Sequence, residues 1–261
     1  MAEEAKITKA YDNREFLHGR SARPLRVLAE FIEPEERLAK HGIHNTIVFF
    51  GSAMAVDRQA LSERSPGEAV VREKAGKVSD SYEACVELAR RITVWSREIE
   101  DPAKRFYVCS GGGPGIMEAA NKGADMAGGK SIGFNITLPH EQFLNPHIPP
   151  ELCFNFHYFF IRKFWFLYYA KGLIGFPGGF GTMDEVFELL TLLQTRKIHK
   201  PVPVVLYGSQ FWNEVVNFKA LQEYGVIAPA DVGLFRIIDD VDEAFEYVTG
   251  RLKELYVDGG A

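Results

Sequence analysis

Six short and almost wholly apolar runs recur along the chain, at Thr46–Phe50, Phe106–Cys109, Ser131–Asn135, Leu173–Phe176, Val202–Leu206 and Phe235–Ile238. Between and after them lie longer stretches of helical period, at Ser79–Ile99, Gly115–Ala127, Tyr158–Ala170, Met183–Thr195, Gln210–Tyr224 and Val241–Leu255. Near-continuous apolar runs, unlike alternating ones, belong to strands covered on both faces, and strand–helix alternation brings successive strands in parallel. The pattern therefore predicts an α/β fold: a doubly wound, mostly parallel sheet with helices on both faces. Ahead of the first run, Arg23–His41 reads as one or two helices broken near Pro34, which makes residues 1–44 a helical N-terminal extension and 45–261 the α/β domain. Ala55–Lys77 reads as a surface loop or weak helix, and Leu138–His157, with four prolines, as a long irregular crossing.

A chain of 261 residues buries roughly three quarters of its unfolded surface, enough for a core without disulfides or metal. The formal net charge of −5 is too acidic for a protein whose affinity rests on a phosphate backbone, so nucleic acid is not an expected partner. Cys85, Cys109 and Cys153 are an odd, scattered set that frames neither a disulfide network nor a zinc site. His140, Glu141 and His147 fit no metal-ligand spacing, and His41 and His44 read as a cap or surface pair, so no metal is expected. No apolar run is long enough for a bilayer, and the charged start lacks a signal-peptide core, so no membrane partner and a cytoplasmic location are expected. Aromatics make up 13% of the chain and crowd into Phe154–Tyr169, a run that core packing and a dimer interface explain better than base stacking.

In an open parallel sheet, ligands sit beyond the carboxyl ends of the strands. Three of those ends are rich in small residues: Gly51-Ser52-Ala53, Ser110-Gly111-Gly112-Gly113-Pro114-Gly115, and Pro177-Gly178-Gly179-Phe180-Gly181-Thr182. Glycine lets a backbone approach an anion and turn its N–H groups toward it, with the following helix adding the positive end of its dipole. One such loop is equally well explained as a tight turn; two converging on a crevice favour a phosphate-bearing ligand. The dinucleotide spacing G-x-G-x-x-G fails, because Ile116 and Asp184 stand where its third glycine belongs, and Gly129-Lys130-Ser131 enters a strand instead of opening a helix as a P-loop would. Glu185, three residues after Thr182, either closes a capping box with it or places a carboxylate beside the ligand. Arg162 and Lys163 lie among Phe159, Phe160, Ile161, Phe164, Trp165 and Phe166. A guanidinium in apolar surroundings needs an anion, from a ligand or from Glu185, whereas Lys163 could equally reach solvent or a carboxylate.

The nine residues Pro177-Gly178-Gly179-Phe180-Gly181-Thr182-Met183-Asp184-Glu185 match P-G-G-x-G-T-x-x-E, and with Gly111–Glu118 and the Arg162-Lys163 pair the chain resembles the Lonely Guy (LOG) family, often labelled "possible lysine decarboxylase". The likeness runs from about Pro24 to Tyr247 and is strongest to the longer bacterial branch, with Phe159-Phe160-Ile161 where plant-type members carry Met-His-Glu. The resemblance implies a Rossmann-like homodimer without a cofactor that hydrolyses the N-glycosidic bond of a nucleoside 5′-monophosphate, AMP or a cytokinin riboside monophosphate. It implies Arg162 and Glu185 as the catalytic pair and Gly178, Gly179, Gly181 and Thr182 as the phosphate site. Gly51, Ser52, Gly112, Gly113, Gly115, Met117 and Lys163 are further candidate substrate contacts. A non-catalytic nucleotide sensor or carrier is the alternative, since fold and glycine loops alone do not require hydrolysis. Lysine decarboxylation itself normally needs pyridoxal phosphate on a lysine, and His199-Lys200, ahead of Pro201, offers no such setting.

Overall fold

The computed structural model describes the backbone of residues 8–63, 69–137 and 145–259, and the side chains of all of these except 62, 63 and 69–75. In chain order the elements are α1 Arg14–His18, α2 Arg23–Lys40, β1 Thr46–Phe50, α3 Arg58–Glu63, α4 Ala69–Arg97, β2 Tyr107–Ser110, α5 Ile116–Met126, β3 Ser131–Ile136, β4 Cys153–Phe156, α6 Phe159–Tyr168, β5 Ala170–Gly175, α7 Phe180–Gln194, β6 Val204–Tyr207, α8 Ser209–Val215, α9 Phe218–Glu223, β7 Arg236–Ile238 and α10 Val241–Leu252. The strands form one sheet in the order β4-β3-β2-β1-β5-β6-β7, every pair parallel. The chain thus builds outward from β1 to β4, returns to the other side of β1 with β5, and builds outward again. The reversal between β1 and β5 opens a crevice at their carboxyl ends.

The central strands feed two cores. In β1, Val48 and Phe50 pack with Trp165, Phe166, Leu189 and Trp212 on one face, while Ile47 and Phe49 pack with Cys85, Ala89, Ile116 and Val248 on the other. Helices α2, α6 and α7 therefore cover one side and α4, α5 and α10 the other.

Three sequence expectations are corrected, and a fourth, for Ala55–Lys77, is resolved to the helical one of its two alternatives. The crossing after β3 contains a strand, β4, with Phe154 and Phe156 buried and Asn155 exposed. Residues 138–144 of that crossing, His140 and Glu141 included, lie outside the described residues. The extension is not broken at Pro34: α2 runs through it. Proline removes the N–H that would bond the carbonyl of Glu30, and the indole of Trp165 donates to that carbonyl instead, at 2.9 Å. The Ala55–Lys77 stretch is largely helical, since α3 falls within it and α4 begins at Ala69. Last, the predicted Gln210–Tyr224 helix is two, parted at Val216-Asn217, where the Asn217 side chain caps α9 by accepting from Ala220 N. Among the described residues no helix is long and apolar enough to cross a membrane.

Candidate active site

Backbone hydrogen bonds stitch the loops after β1, β2 and β5 together. Phe176 N donates to Phe50 O at 2.8 Å, Ser52 N to Pro177 O at 2.9 Å, and Ile116 N to Ser52 O at 3.0 Å. Ser52 also accepts on its hydroxyl from Met54 N. Its amide, carbonyl and hydroxyl all serve the junction. Gly51 is held tight against the Ile116 side chain, where an added Cβ would lie within 2.6 Å.

The two glycine loops differ in what demands their glycines. Around Gly111–Gly115 the chain itself does: a Cβ on Gly111 would meet Arg162 Nη2 at 2.4 Å, one on Gly112 the Asn135 amide at 2.5 Å, and one on Gly115 the Ser52 carbonyl at 2.2 Å. Gly112 and Gly115 further adopt φ of +70° and +72°. Met117 lies across this loop, its Cε 2.8 Å from where a Gly113 Cβ would stand. In the second loop Gly178 is pressed by Thr182, but a Cβ on Gly179 or Gly181 would meet nothing within 4 Å, and neither residue has positive φ.

Helix α7 begins inside that loop. Its N-cap is Gly179, not Thr182, and no side chain caps it. The expected capping box of Thr182 with Glu185 is therefore absent: Thr182 sits within the first turn, buried, and its hydroxyl bonds to nothing among the described residues. First-turn amides have no intrahelical acceptor. Those of Phe180, Gly181 and Thr182 have none among the described residues.

One turn on, Glu185 lies with its Oε1 3.6 Å from Arg162 Nη1. Burial pushes its carboxyl up to about 7, against the pull of Arg162. The Arg162 guanidinium is itself buried, donating from Nε to Phe134 O at 2.6 Å and lying 5.0 Å from the Phe166 ring. Burial lowers its pKa, with Glu185 opposing. It bridges the Gly111 loop and Glu185. Lys163 turns away, pairing with Asp184 at 2.8 Å and Glu188 at 3.0 Å. These ties raise its pKa although partial burial works against them.

Arg162, Glu185, Thr182 and both glycine loops thus come together as the sequence predicts, while Ser52 and Lys163 are engaged by the protein. Sequence reasoning missed Asn121, fully buried in α5, whose amide ties Ser110 Oγ (2.6 Å), Ser131 Oγ (2.9 Å) and Asn145 Nδ2 (3.0 Å). Ser110 Oγ in turn accepts from Gly112 N. The signal was a polar residue on the stripe of Ile116, Ala119, Ala120 and Ala124. His147 pairs with Asp125 at 2.8 Å, and no metal-holding cluster occurs among the described residues. Lys200 donates to the carbonyls of Leu167 and Tyr168 at the end of α6.

Residues 117–248 match the sequence profile of a family described as "Possible lysine decarboxylase". The chain belongs to this family, the LOG family of the nine-residue signature. One relative in Oryza sativa subsp. japonica, a probable cytokinin riboside 5′-monophosphate phosphoribohydrolase, LOGL5, is 28% identical over 159 residues, or 59% of this chain and 60% of that protein's length. Among solved structures, TM1055 shares the LOG-like fold at 20% identity and a TM-score of 0.50, covering 79% of this chain and 99% of its own. A molybdenum cofactor binding protein from Rippkaea orientalis aligns over 80% of this chain and 97% of its own at 17% identity, with a TM-score of 0.48.

Proposed function

We propose that this LOG-family protein hydrolyses nucleoside 5′-monophosphates, AMP or a cytokinin riboside monophosphate, to free base and ribose 5-phosphate. The observation that carries the reading is the pair of glycines, Gly179 and Gly181, that the protein's own packing does not require, set over unbonded first-turn amides and one turn ahead of a buried carboxylate. A phosphate monoester held there by the amides of Phe180, Gly181 and Thr182 and by the Thr182 hydroxyl gains the helix dipole and charge-assisted hydrogen bonds. That grip fixes the ribose.

Cleavage breaks the C1′–N bond, whose electron pair leaves with the base nitrogen, and joins water oxygen to C1′, one proton of that water ending on the released base. Positive charge develops on the ribose as the bond lengthens, and the Glu185 carboxylate stabilises it or takes the proton of the attacking water, as glycosidase carboxylates do. Arg162 orients Glu185 and keeps a fraction of it ionised. Incubating the full chain with AMP and cytokinin riboside monophosphates should release free base. Glu185→Gln and Arg162→Ala should each cut turnover by at least ~100-fold. Tight binding with no base released would favour a nucleotide carrier instead, and full activity in either variant would remove that residue from the mechanism.

A further inference from the structure

Arg162 is held 3.6 Å from Glu185 by two things, the bond from its Nε to Phe134 O and the placement of its backbone on α6. This helix has no capping side chain of its own. The N-terminal extension holds the start of the helix instead: the Glu30 carboxylate of α2 accepts from His157 N at 2.9 Å and from Tyr158 N at 3.2 Å, the two amides just ahead of the first turn. An anion at a helix N-terminus is stabilised by the free amides and the dipole. The carbonyl of the same residue, released by Pro34, accepts from Trp165 Nε1. One residue thus grips α6 on both sides of Arg162, whose own amide bonds Tyr158 O within the first turn.

We propose that Glu30 is a positioning residue for Arg162, and that the extension serves the site by fixing where α6 places the guanidinium relative to Glu185. The proposal rests on the reading of Arg162 and Glu185 as the catalytic pair. Two anchors along one helix fix both its rotation and its axial position, and a slip of an ångström at a reacting centre can cost about a hundredfold in rate.

The deciding measurement needs no substrate: the ionisation of the Glu185 carboxyl, followed by carbon NMR on the full chain. Its charged neighbours are Arg162 and Lys163 from α6 and Asp184 and Glu188 from its own helix, with the Cys109 thiol close by on β2. If α6 loosens, the Arg162 charge withdraws, and in Glu30→Ala the midpoint should rise by roughly half a pH unit or more. The comparison is Arg37→Gln, which breaks another docking contact of α2, the hydrogen bond to Cys153 O and the guanidinium 3.9 Å over the Phe154 ring, without touching α6. It should lower stability yet leave the Glu185 midpoint alone. Should Glu30→Ala fail to fold, Trp165→Phe, which removes the indole donor and keeps a smaller aromatic ring, is read in its place. On AMP, kcat should fall roughly tenfold in Glu30→Ala with KM within about twofold. An unmoved or lowered Glu185 midpoint in the folded variant, or an equal shift in Arg37→Gln, overturns the proposal. A wild-type chain that releases no base from AMP overturns the catalytic reading alone, because the titration still decides what Glu30 does.

Discussion

Glu185 carries its charge under strain, and the sign of that strain is measurable. Burial raises the carboxyl from 4.5 to about 7, so the folded chain binds this proton more tightly than the unfolded one. The resulting stabilisation is full below the unfolded value and is lost as pH rises through about 7. Between about pH 5 and pH 8 the wild type should lose roughly 2.5 kcal/mol relative to Glu185→Gln, read by urea denaturation at both ends; a constant difference would show an ordinary carboxylate. The same proton governs chemistry. If the ionised form acts, kcat/KM on AMP rises with pH to a plateau above about 7, whereas a fall through that range would make Glu185 a general acid. The glycines make a matching contrast. Gly181 lies in the first turn of α7 with open space around it, so Gly181→Ala should stabilise the fold by roughly 0.5–1 kcal/mol while raising KM for AMP roughly tenfold, by filling the space a phosphate would take. Gly112→Ala, at φ +70° and against Asn135, should instead destabilise by about 1–3 kcal/mol.

At the scale of elements, the sequence discloses what local period and punctuation encode. β1 falls where its run of four apolar residues after Thr46 says, and α5 and α10 start within a residue of their sequence positions. What escapes is set by partners distant in the chain. β4 is a four-residue edge strand behind Pro149-Pro150, legible only in the alternation of Phe154, Asn155 and Phe156. Pro34 stops a helix on local rules, and only the Trp165 indole, far along the chain, lets it continue. The start of α7 falls three residues earlier than the sequence suggests because Gly179-Phe180-Gly181 reads as loop, although Gly179 is the N-cap and Phe180 and Gly181 are already helical. Asn121 belongs to the same class, since four buried polar groups converge on it from β2, β3 and the segment after 144. Asn121→Ala strands Ser110, Ser131 and Asn145 in the core and should cost roughly 2–4 kcal/mol in chemical denaturation; a loss below about 1 kcal/mol would mean that water replaces the amide.

For the whole molecule, strand order was beyond the sequence: nothing local says that β5 returns to pair with β1. The sheet's outer helices leave a second question. On α2, Leu25, Leu28 and Ile32 are about half exposed at helical spacing, and on α6 Phe160, Phe164 and Tyr168 are as open. Phe31 and Phe164, 5.2 Å apart, join the two helices edge to face. Scattered exposed side chains are ordinary, but such residues on two adjoining helices make a patch that folded chains seldom leave to water. A second copy of the chain is the expected cover, since a specific dimer needs about 800 Å² from each partner and two helices of this length can supply it. Light scattering should give about twice the chain mass for the wild type. In the double variant Leu28→Glu with Ile32→Glu, whose side chains face away from the core, the mass should halve while the circular dichroism of the helices is kept. A variant that remains dimeric would move the interface off α2, and the next face to test is that of Phe180, at 97% the most exposed large apolar side chain among the described residues.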